Sequence, residues 1–194
     1  MSRPESPSCD RNQEPISNEL KRLLVDCTSC LEIGSGTGQH ATYFTQQLPT
    51  LSWTCSDVKE NHAGIKSWIC DQENIKGPLQ YKIGEDTFPE GSFDCIFSAN
   101  SLHIMSWKTA KTLFKTLGKN CSSNTFVIFY GPFNLKGDFT SVSNKNFDRF
   151  LKERDPAQGI RSLEDVSNNM AKNGFFLQED IEMPSNNRLL VFKN

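Results

Sequence analysis

The sequence of 194 residues contains no apolar run that approaches the roughly 18 to 20 residues of a membrane span. Its N-terminal region also lacks the apolar centre of a secretory signal peptide. Net charge is nearly absent, with 21 basic and 23 acidic residues, so there is no strong positive field to drive nonspecific binding to nucleic acid. These absences predict a soluble cytoplasmic protein that binds neither membranes nor nucleic acid. Entry into the nucleus by diffusion is left open.

A complete set of metal ligands is also missing from the sequence. Cys27 and Cys30 form one Cys-x-x-Cys pair without a second half, so the sequence predicts no zinc site and no other metal site. The 7 cysteines are an odd number, and several of them lie within apolar runs. This pattern favours reduced and mostly buried thiols.

Strands and helices alternate through most of the chain. The sequence predicts strands over residues 30–36, 51–58, 79–83, 93–99 and 125–130, and helices over 38–48, 61–73, 106–118, 147–152 and 162–174. Strands that alternate with helices form a mostly parallel sheet with helices on both faces. Residues 175–183 and 188–193 are two more strands, and the short link between them forces an antiparallel hairpin.

The N-terminal region differs in composition from the rest of the chain. Residues 1–14 contain Pro4, Pro7 and little apolar surface, which predicts a tail that is disordered unless a ligand orders it. A helix is expected to begin near Ile16, within a single domain over residues 15–194. In the predicted fourth helix, basic residues recur every three or four positions, which is typical of a solvated helix face; they are Lys108, Lys111, Lys115 and Lys119.

The most informative segment is the glycine-rich stretch that follows the first predicted strand. Gly34, Gly36 and Gly38 lie between this strand and a helix, where the backbone can turn tightly and approach a ligand at the helix N-terminus. Glu32 precedes the first glycine, and Gln39 stands where a dinucleotide fingerprint has its last glycine. Both features favour S-adenosylmethionine (SAM) over NAD. The alternative is a tight turn that serves only the packing of the helix on the sheet.

A carboxylate at the end of the second strand supports an adenosyl ligand. Asp57 lies 23 residues beyond Gly34, where it can accept hydrogen bonds from both hydroxyls of a ribose. Taken alone, Asp57 could also cap a helix or be a solvated carboxylate. The succession of strand, glycine loop, helix, strand and acid makes the adenosyl interpretation the stronger one.

The sequence resembles the class I methyltransferase-like family of unknown function that includes methyltransferase-like protein 26. The resemblance extends from Arg11 over nearly the whole chain, and its later motifs are more specific than the glycine loop. These motifs lie in residues 11–16, 31–41, 53, 56–57, 99–100, 103–104, 130–133, 143–144, 147–148, 154–156, 159–161 and 183–187. The resemblance implies a Rossmann-like, seven-strand methyltransferase sheet with five or six parallel strands, an antiparallel C-terminal hairpin strand, and SAM as cofactor.

Candidate site residues follow from this resemblance and from the rule that ligands bind at the carboxyl ends of parallel strands. The predicted cofactor contacts are Asn12, Glu32, Gly34, Ser35, Gly36, Gly38, Asp57 and Asn100. The predicted acceptor pocket consists of Tyr130, Asn144, Asp148, Arg161, Asn186 and Asn187. His103 is the candidate catalytic base, because an unperturbed imidazole has a pKa of roughly 6.5.

Several of these residues have plainer interpretations, and one position departs from the family pattern. His103 could be an ordinary hydrogen-bonded residue, Asn186 and Asn187 could simply form the hairpin turn, and Arg161 could pair with Asp155 or cap a helix. Lys82 occupies the position of the family's usual aspartate in the third strand. The acidic contact near the adenosyl group is therefore absent unless Glu85 or Asp86 replaces it.

The sequence predicts a SAM-dependent methyltransferase that acts on an unidentified small-molecule acceptor. The alternative is a protein that binds SAM or its demethylated product S-adenosylhomocysteine (SAH) without transferase activity, as a partner or regulator. An NAD-dependent oxidoreductase is a third, weaker interpretation. Residues 1–100 contain 8 basic and 14 acidic side chains and residues 101–194 contain 13 and 9, a split that hints at an anionic or polar acceptor. The sequence predicts neither the acceptor atom nor the oligomeric state.

Overall fold

The structure is a computed structural model that describes residues 3–194. Its α-helices are α1 (Pro7–Leu23), α2 (Gln39–Gln47), α3 (His62–Ile69), α4 (Trp107–Asn120), α5 (Val142–Arg154) and α6 (Leu163–Ala171). The first five strands are β1 (Ser29–Ile33), β2 (Ser52–Asp57), β3 (Ile75–Gln80), β4 (Cys95–Ala99) and β5 (Phe126–Gly131). The remaining strands are β6 (Phe133–Asn134), β7 (Arg161–Ser162), β8 (Phe176–Met183) and β9 (Asn187–Lys193).

Seven of the strands belong to one sheet, in the order β3-β2-β1-β4-β5-β9-β8. Strand β1 pairs in parallel with β2 and with β4, and β2 pairs in parallel with β3. Strand β9 runs antiparallel to both of its neighbours, β5 and β8. The predicted α/β fold with a mostly parallel, Rossmann-like methyltransferase sheet and a terminal antiparallel hairpin is therefore confirmed.

The chain divides into two compact units, one up to Ser98 and the other from Ala99 to Asn194. The core of the first unit contains a cluster of three fully buried aromatic rings on α2, β2 and β4. The ring of Phe44 lies 5.5 Å from that of Trp53 and 5.6 Å from that of Phe97, between centroids. These large side chains fill the space between α2 and the neighbouring part of the sheet.

In the second unit, α4 packs one face into the core. Its buried residues are Ala110, Leu113, Phe114 and Leu117. The ring of Phe114 packs against that of Phe129, with 5.8 Å between centroids, and Phe129 packs against Phe192 at 6.1 Å. The four lysines of the same helix are exposed, as the predicted solvated face requires.

The N-terminal helix begins earlier than the sequence predicts. It starts at Pro7 rather than near Ile16, so the disordered tail predicted over residues 1–14 is wrong from Pro7 onward. Met1 and Ser2, the first residues of that tail, lie outside the described residues. Proline is well suited to the first turn of a helix, since its missing N–H would have no partner there, and contacts with α2 stabilise this half of α1. The predicted single domain over residues 15–194 stays a prediction.

The helix predicted over residues 61–73 ends earlier, at Ile69, and the strand predicted over 30–36 ends at Ile33. Two other predicted elements begin several residues away from their observed starts. Strand β3 begins at Ile75, before Gly77 and Pro78, although the sequence predicts a strand only from residue 79. Strand β3 lies at the edge of the sheet, where a proline removes no required ladder bond. Helix α5 begins at Val142 rather than at Phe147, because Ser141 caps it by accepting a hydrogen bond from the Asn144 amide.

No helix within residues 3–194 combines the length and apolar character needed to cross a membrane. The same part of the chain contains no group of three or more His, Cys, Asp or Glu side chains that could hold a metal ion. None of the seven cysteines forms a disulfide bond within the described residues, and three of them, Cys30, Cys55 and Cys95, are buried.

Candidate functional site

The glycine loop between β1 and α2 folds back onto the end of β2. The backbone amides of Gly34 and Ser35 both donate to the carbonyl of Ser56, at 2.9 and 3.1 Å. The amide of Gly36 donates to Oδ2 of Asp57 at 2.7 Å. The structure therefore brings the predicted loop and the predicted carboxylate into direct contact.

The three glycines of this loop share a positive backbone φ angle, and Gly38 has a packing requirement in addition. Gly34, Gly36 and Gly38 all have positive φ angles of 77°, 58° and 90°, which favour glycine. A Cβ atom on Gly38 would lie 3.0 Å from Cα of Ile65, so this glycine also allows α2 and α3 to pack closely. A Cβ atom on Gly36 would meet no described atom within 4 Å. The packing interpretation thus applies to Gly38, while the open space beside Gly36 fits a ligand.

The Asp57 carboxylate is buried and accepts hydrogen bonds from several donors. Besides the Gly36 amide on Oδ2, its Oδ1 accepts from the Val58 amide at 2.7 Å and from the Asn61 side-chain amide at 2.9 Å. The side chain thus also organises the turn after β2, as the capping interpretation implied. Two carboxylate oxygens offer about four acceptor sites, so capacity remains for a ligand hydroxyl.

Glu32 is a buried carboxyl group at the end of β1. Its Oε2 accepts a hydrogen bond from Nε1 of Trp53 at 3.1 Å. Burial raises the pKa of Glu32 to about 7, and hydrogen bonds from Trp53 and Ser35 oppose this shift. The Ser35 hydroxyl also accepts from the Ser56 amide at 3.2 Å. Glu32 therefore titrates near neutral pH in a site that can bind a polar or charged group.

Helix α1 contacts the start of α2, directly after the glycine loop. Oδ1 of Asn12 lies 2.6 Å from Nε2 of His40, and both side chains are buried. Nε2 of Gln39 donates to Asp10 at 3.1 Å, and its Oε1 accepts from the Ser6 amide. The sequence does not indicate Gln39 and His40 as partners of α1. The sequence feature that could have indicated this contact is the pair of polar residues in the first turn of α2, next to the predicted loop.

The segment around Lys82 contains carboxylates, although the family's aspartate is absent. Nζ of Lys82 pairs with Glu85 at 2.8 Å. Oδ2 of Asp86 accepts from the backbone amide of Lys82 at 2.6 Å and from Nε2 of Gln80 at 3.0 Å. The Asp86 carboxylate therefore lies at the backbone of Lys82, the position at which the resemblance implies an aspartate.

In the second unit, two predicted residues meet near the end of β5. Asn100 has a left-handed φ of 55°, and its amide donates to the Tyr130 carbonyl at 2.8 Å. A Cβ atom added to Gly131 would lie 3.5 Å from Nδ1 of His103 and 3.7 Å from Oδ1 of Asn100. The structure thus brings Asn100, His103 and the end of β5 together, as the motif positions predict. The side chain of Tyr130 is buried.

His103 is buried and its imidazole is a weak base. The ring packs edge-on against Phe147, with centroids 5.3 Å apart. Burial lowers the pKa of His103 to about 4, and the charges of Arg161 and Arg154 lower it further. The imidazole is therefore neutral at pH 7, where it can accept a proton but holds it weakly.

Arg161 and Asp148 hold the backbone around His103. The Arg161 guanidinium donates to the carbonyls of Leu102, Met105 and Ala157, rather than pairing with Asp155. Oδ1 of Asp148 accepts from the Ile160 amide at 2.8 Å, and the Gly159 amide donates to the His103 carbonyl at 2.9 Å. Oδ2 of Asp148 also pairs with Lys152 at 2.7 Å. Both predicted pocket residues thus position the chain near His103.

We expect the substitution Arg161→Met to lower the free energy of unfolding by about 1.5–3 kcal/mol. It removes a charged donor from three carbonyls in a half-buried position, where water replaces the lost bonds only in part. Arg154→Met is the matched control, because Arg154 is exposed and its described hydrogen bonds go only to the side chain of Gln158, so this change should cost less than about 1 kcal/mol. Urea unfolding measures both. Equal losses in the two variants would contradict the assigned role.

The remaining predicted residues lie around the turn between β8 and β9. Nδ2 of Asn144 donates to the Asn186 carbonyl at 3.0 Å, and Nδ2 of Asn187 donates to the Pro184 carbonyl at 3.1 Å. Asn186 has a left-handed φ of 58°, so it does form the turn. Asn186 and Asn187 also line an open cleft of about 580 Å³ in this unit.

The charge of this cleft does not favour an anionic ligand. Its lining includes the carboxylates of Asp138 and Glu182 and, as the one cation among the described lining residues, Arg188. Arg188 binds Asp180 through two nitrogens and lies 3.6 Å from Glu182. The excess of basic residues in 101–194 hints at an anionic or polar acceptor, and this cleft gives no support for an anionic one.

Comparison with solved structures places the fold in the class of the SAM-dependent methyltransferases. Human N-acetylserotonin methyltransferase in complex with SAM superposes with a TM-score of 0.83 and 14% sequence identity, over 96% of this chain and 52% of that one. An O-methyltransferase family protein from Burkholderia thailandensis gives 0.82 and 10%, over 96% and 57%. PigF with SAH gives 0.81 and 14%, over 95% and 56%. The chain thus spans about half the length of these proteins, and identities this low show the fold alone.

The chain belongs to the family described as "Protein of unknown function (DUF938)", which matches residues 3–194. The predicted methyltransferase-like resemblance is confirmed at the level of the fold. The more specific relation to methyltransferase-like protein 26 stays a prediction.

Proposed function

We propose that this protein is a SAM-dependent methyltransferase that acts on a small-molecule acceptor. The observation that carries the proposal is the contact between the Gly36 amide and Asp57, which fixes a glycine loop with open space beside Gly36. Loop amides and a carboxylate at the ends of adjacent parallel strands form a typical adenosyl site. The solved structures of similar fold include a methyltransferase in complex with SAM and a protein with SAH, which supports the same cofactor here.

The residues of the first unit fit such a cofactor. Asp57 retains acceptor capacity for one ribose hydroxyl, the loop from Gly34 to Gly38 would lie against the ligand, and Glu32 and Asn12 would hold its amino-acid end. Asp86 would replace the family's aspartate near the adenosyl group. Asn100, in the second unit, remains a predicted cofactor contact. When bound, SAM supplies a methyl group on a positively charged sulfur, ready for in-line displacement.

The chain's own contribution to methyl transfer would be mostly positioning. Holding the reactants in line accounts for much of the rate in such displacements. A neutral His103 would accept a proton from an acceptor that binds in its protonated form. Arg161 and Asp148 would keep His103 in place through its backbone, while Tyr130, Asn144, Asn186 and Asn187 would shape the acceptor pocket.

Calorimetry with SAM, SAH and NAD tests the proposal on the wild-type chain. We expect SAM and SAH to bind with dissociation constants below about 50 μM, equivalent to roughly 6 kcal/mol of binding free energy, and NAD not to bind. Absence of both SAM and SAH binding at this concentration would contradict the proposed function.

The alternative is a protein that binds the cofactor without transferring its methyl group. It is favoured by one observation, namely that Asn144, Asp148 and Arg161 all bond to backbone groups of the second unit. Incubation with SAM and a panel of small phenols, amines and thiols separates the two functions. Formation of SAH together with a methylated product supports the transferase, while tight SAM binding without turnover on the panel favours the alternative.

A further inference from the structure

The contact between Asn12 and His40 joins two buried polar side chains at the proposed cofactor site. His40 follows the glycine loop by two residues, and its Nε2 lies 2.6 Å from Oδ1 of Asn12. The imidazole is stacked on Phe44, with centroids 5.0 Å apart and planes at 15°, and its edge faces Phe97 at 6.5 Å. Packing on two sides holds the ring in one orientation.

Chemistry determines which atom donates in this contact. Burial lowers the pKa of His40 to about 4, so the ring is neutral at pH 7 and has a single N–H. A carbonyl oxygen such as Oδ1 of Asn12 can only accept a hydrogen bond. With Oδ1 of Asn12 facing the ring, the proton is on Nε2, which donates to Asn12. Rotation of the Asn12 amide by 180° would keep a hydrogen bond only with the Nδ1–H form of the imidazole.

The fixed orientation leaves the NH₂ group of Asn12 without a partner. Asn12 is only 7% exposed, and its Nδ2 forms no hydrogen bond within the part of the chain that the structure describes. Nδ2 is not enclosed by the protein, since it is not among the fully buried polar atoms that lack a partner. A ligand in the site can therefore reach it and supply the acceptor. Because its oxygen is already bound by His40, the amide can offer this ligand donors only.

We propose that His40 is a positioning residue, which turns the Asn12 amide so that its NH₂ group donates to the carboxylate of the cofactor's amino-acid end. This inference rests on the proposed function and extends it. An amide that presents only N–H groups attracts a carboxylate and disfavours the neighbouring ammonium group of the same ligand. His40 thereby helps to select ligands that carry an amino-acid carboxylate.

Two ligands that differ only in the amino-acid end provide the test. SAH carries the carboxylate, whereas 5′-methylthioadenosine has the same adenosine and sulfur without it. In calorimetry, we expect His40→Phe to weaken SAH binding by about tenfold, the effect of one well-oriented hydrogen bond, and to leave methylthioadenosine binding within about twofold. His40→Gln, whose amide nitrogen has nearly the reach of Nε2, should restore SAH binding to within about threefold of wild type.

The outcomes separate this inference from the proposed function. Failure of the wild-type chain to bind SAM or SAH overturns both. The role of His40 alone is overturned if the wild type binds SAH normally and His40→Phe loses affinity equally for the two ligands. It is also overturned if the wild type binds SAH normally and His40→Phe loses no affinity. Phe44→Leu is the matched control, because it removes the stacked ring but no donor, and it should leave the ratio of the two affinities unchanged.

Nitrogen NMR of the wild-type chain gives a readout that needs no variant. We expect the His40 imidazole to remain in the neutral Nε2–H form from pH 5 to 8, and SAH to shift the side-chain amide protons of Asn12. Methylthioadenosine should leave these protons nearly unshifted. An Nδ1–H ring, or equal shifts with both ligands, would overturn the proposal.

Discussion

Replacing Asp57 with alanine is expected to weaken SAH binding by at least about 100-fold. The carboxylate orients the Gly36 amide through Oδ2 and the turn after β2 through Oδ1, and it retains capacity for one ribose hydroxyl. A hydrogen bond to a charged group contributes about 1.5–3 kcal/mol, so the loss of the ribose bond accounts for about 10- to 100-fold, and the loss of the bonds that hold the Gly36 amide and the turn adds to it. Calorimetric titration of the variant with SAH measures it.

Asp94 provides a matched control for this substitution. Its Oδ2 accepts from the amides of Thr28 and Ser29, at 2.8 and 3.0 Å, at the start of β1 rather than at the end where the glycine loop lies. These bonds lower the pKa of Asp94, so Asp94→Ala should destabilise the fold while SAH affinity is maintained. If Asp57→Ala keeps its affinity, or if both variants lose it equally, Asp57 is not a ribose ligand.

The sequence predicts the parts of this fold that depend on local patterns. The glycine loop follows a buried strand, Asp57 ends the next one, and the link between β8 and β9 is too short for a parallel crossover. Each feature is set by neighbouring residues and by chain geometry, so a single sequence is sufficient. The placement of Glu32 and Asp57 at the ends of β1 and β2 follows directly.

Other features depend on partners that are distant in the chain and leave no local pattern. Asn12 and His40 are 28 residues apart, and nothing in either segment indicates their pairing. The role of Arg161 is equally hidden, because its partners are backbone carbonyls, which every residue has. Strands β6 and β7 contain two residues each and have no periodicity to detect. In such cases only the folded chain shows which hydrogen-bond partners a polar side chain has.

The glycine loop shows how the structure refines a motif. In the sequence Gly36 and Gly38 carry equal weight as signs of a ligand. In the structure Gly38 is needed for the close approach of α2 to Ile65, whereas Gly36 faces open space and donates to Asp57. A packing requirement at Gly38 therefore lies two residues from the open space at Gly36, where we propose that the ligand binds.

Between pH 6.5 and 4.5, stability is expected to fall by about 1 kcal/mol per pH unit, because three buried groups titrate differently in the folded and unfolded chains. His40 and His103 have pKa values of about 4 when folded and about 6.5 when unfolded, so unfolding binds two protons in this range. Glu32, with a folded pKa of about 7, binds one proton in the folded state that the unfolded chain lacks, which opposes one histidine. Urea unfolding at intervals of half a pH unit measures this slope.

Two variants separate the opposing contributions. Glu32→Gln removes the proton that the folded state holds, so the loss of stability toward low pH should roughly double, to about 2 to 2.5 kcal/mol per pH unit. His103→Asn removes one of the two protons taken up on unfolding, so the slope should be nearly zero between pH 6.5 and 4.5. A wild-type slope unaffected by both substitutions would mean that neither group titrates as its burial requires. A reversed order would instead indicate that Glu32 is ionised in the fold, with its carboxylate held by the Trp53 and Ser35 donors rather than protonated by burial.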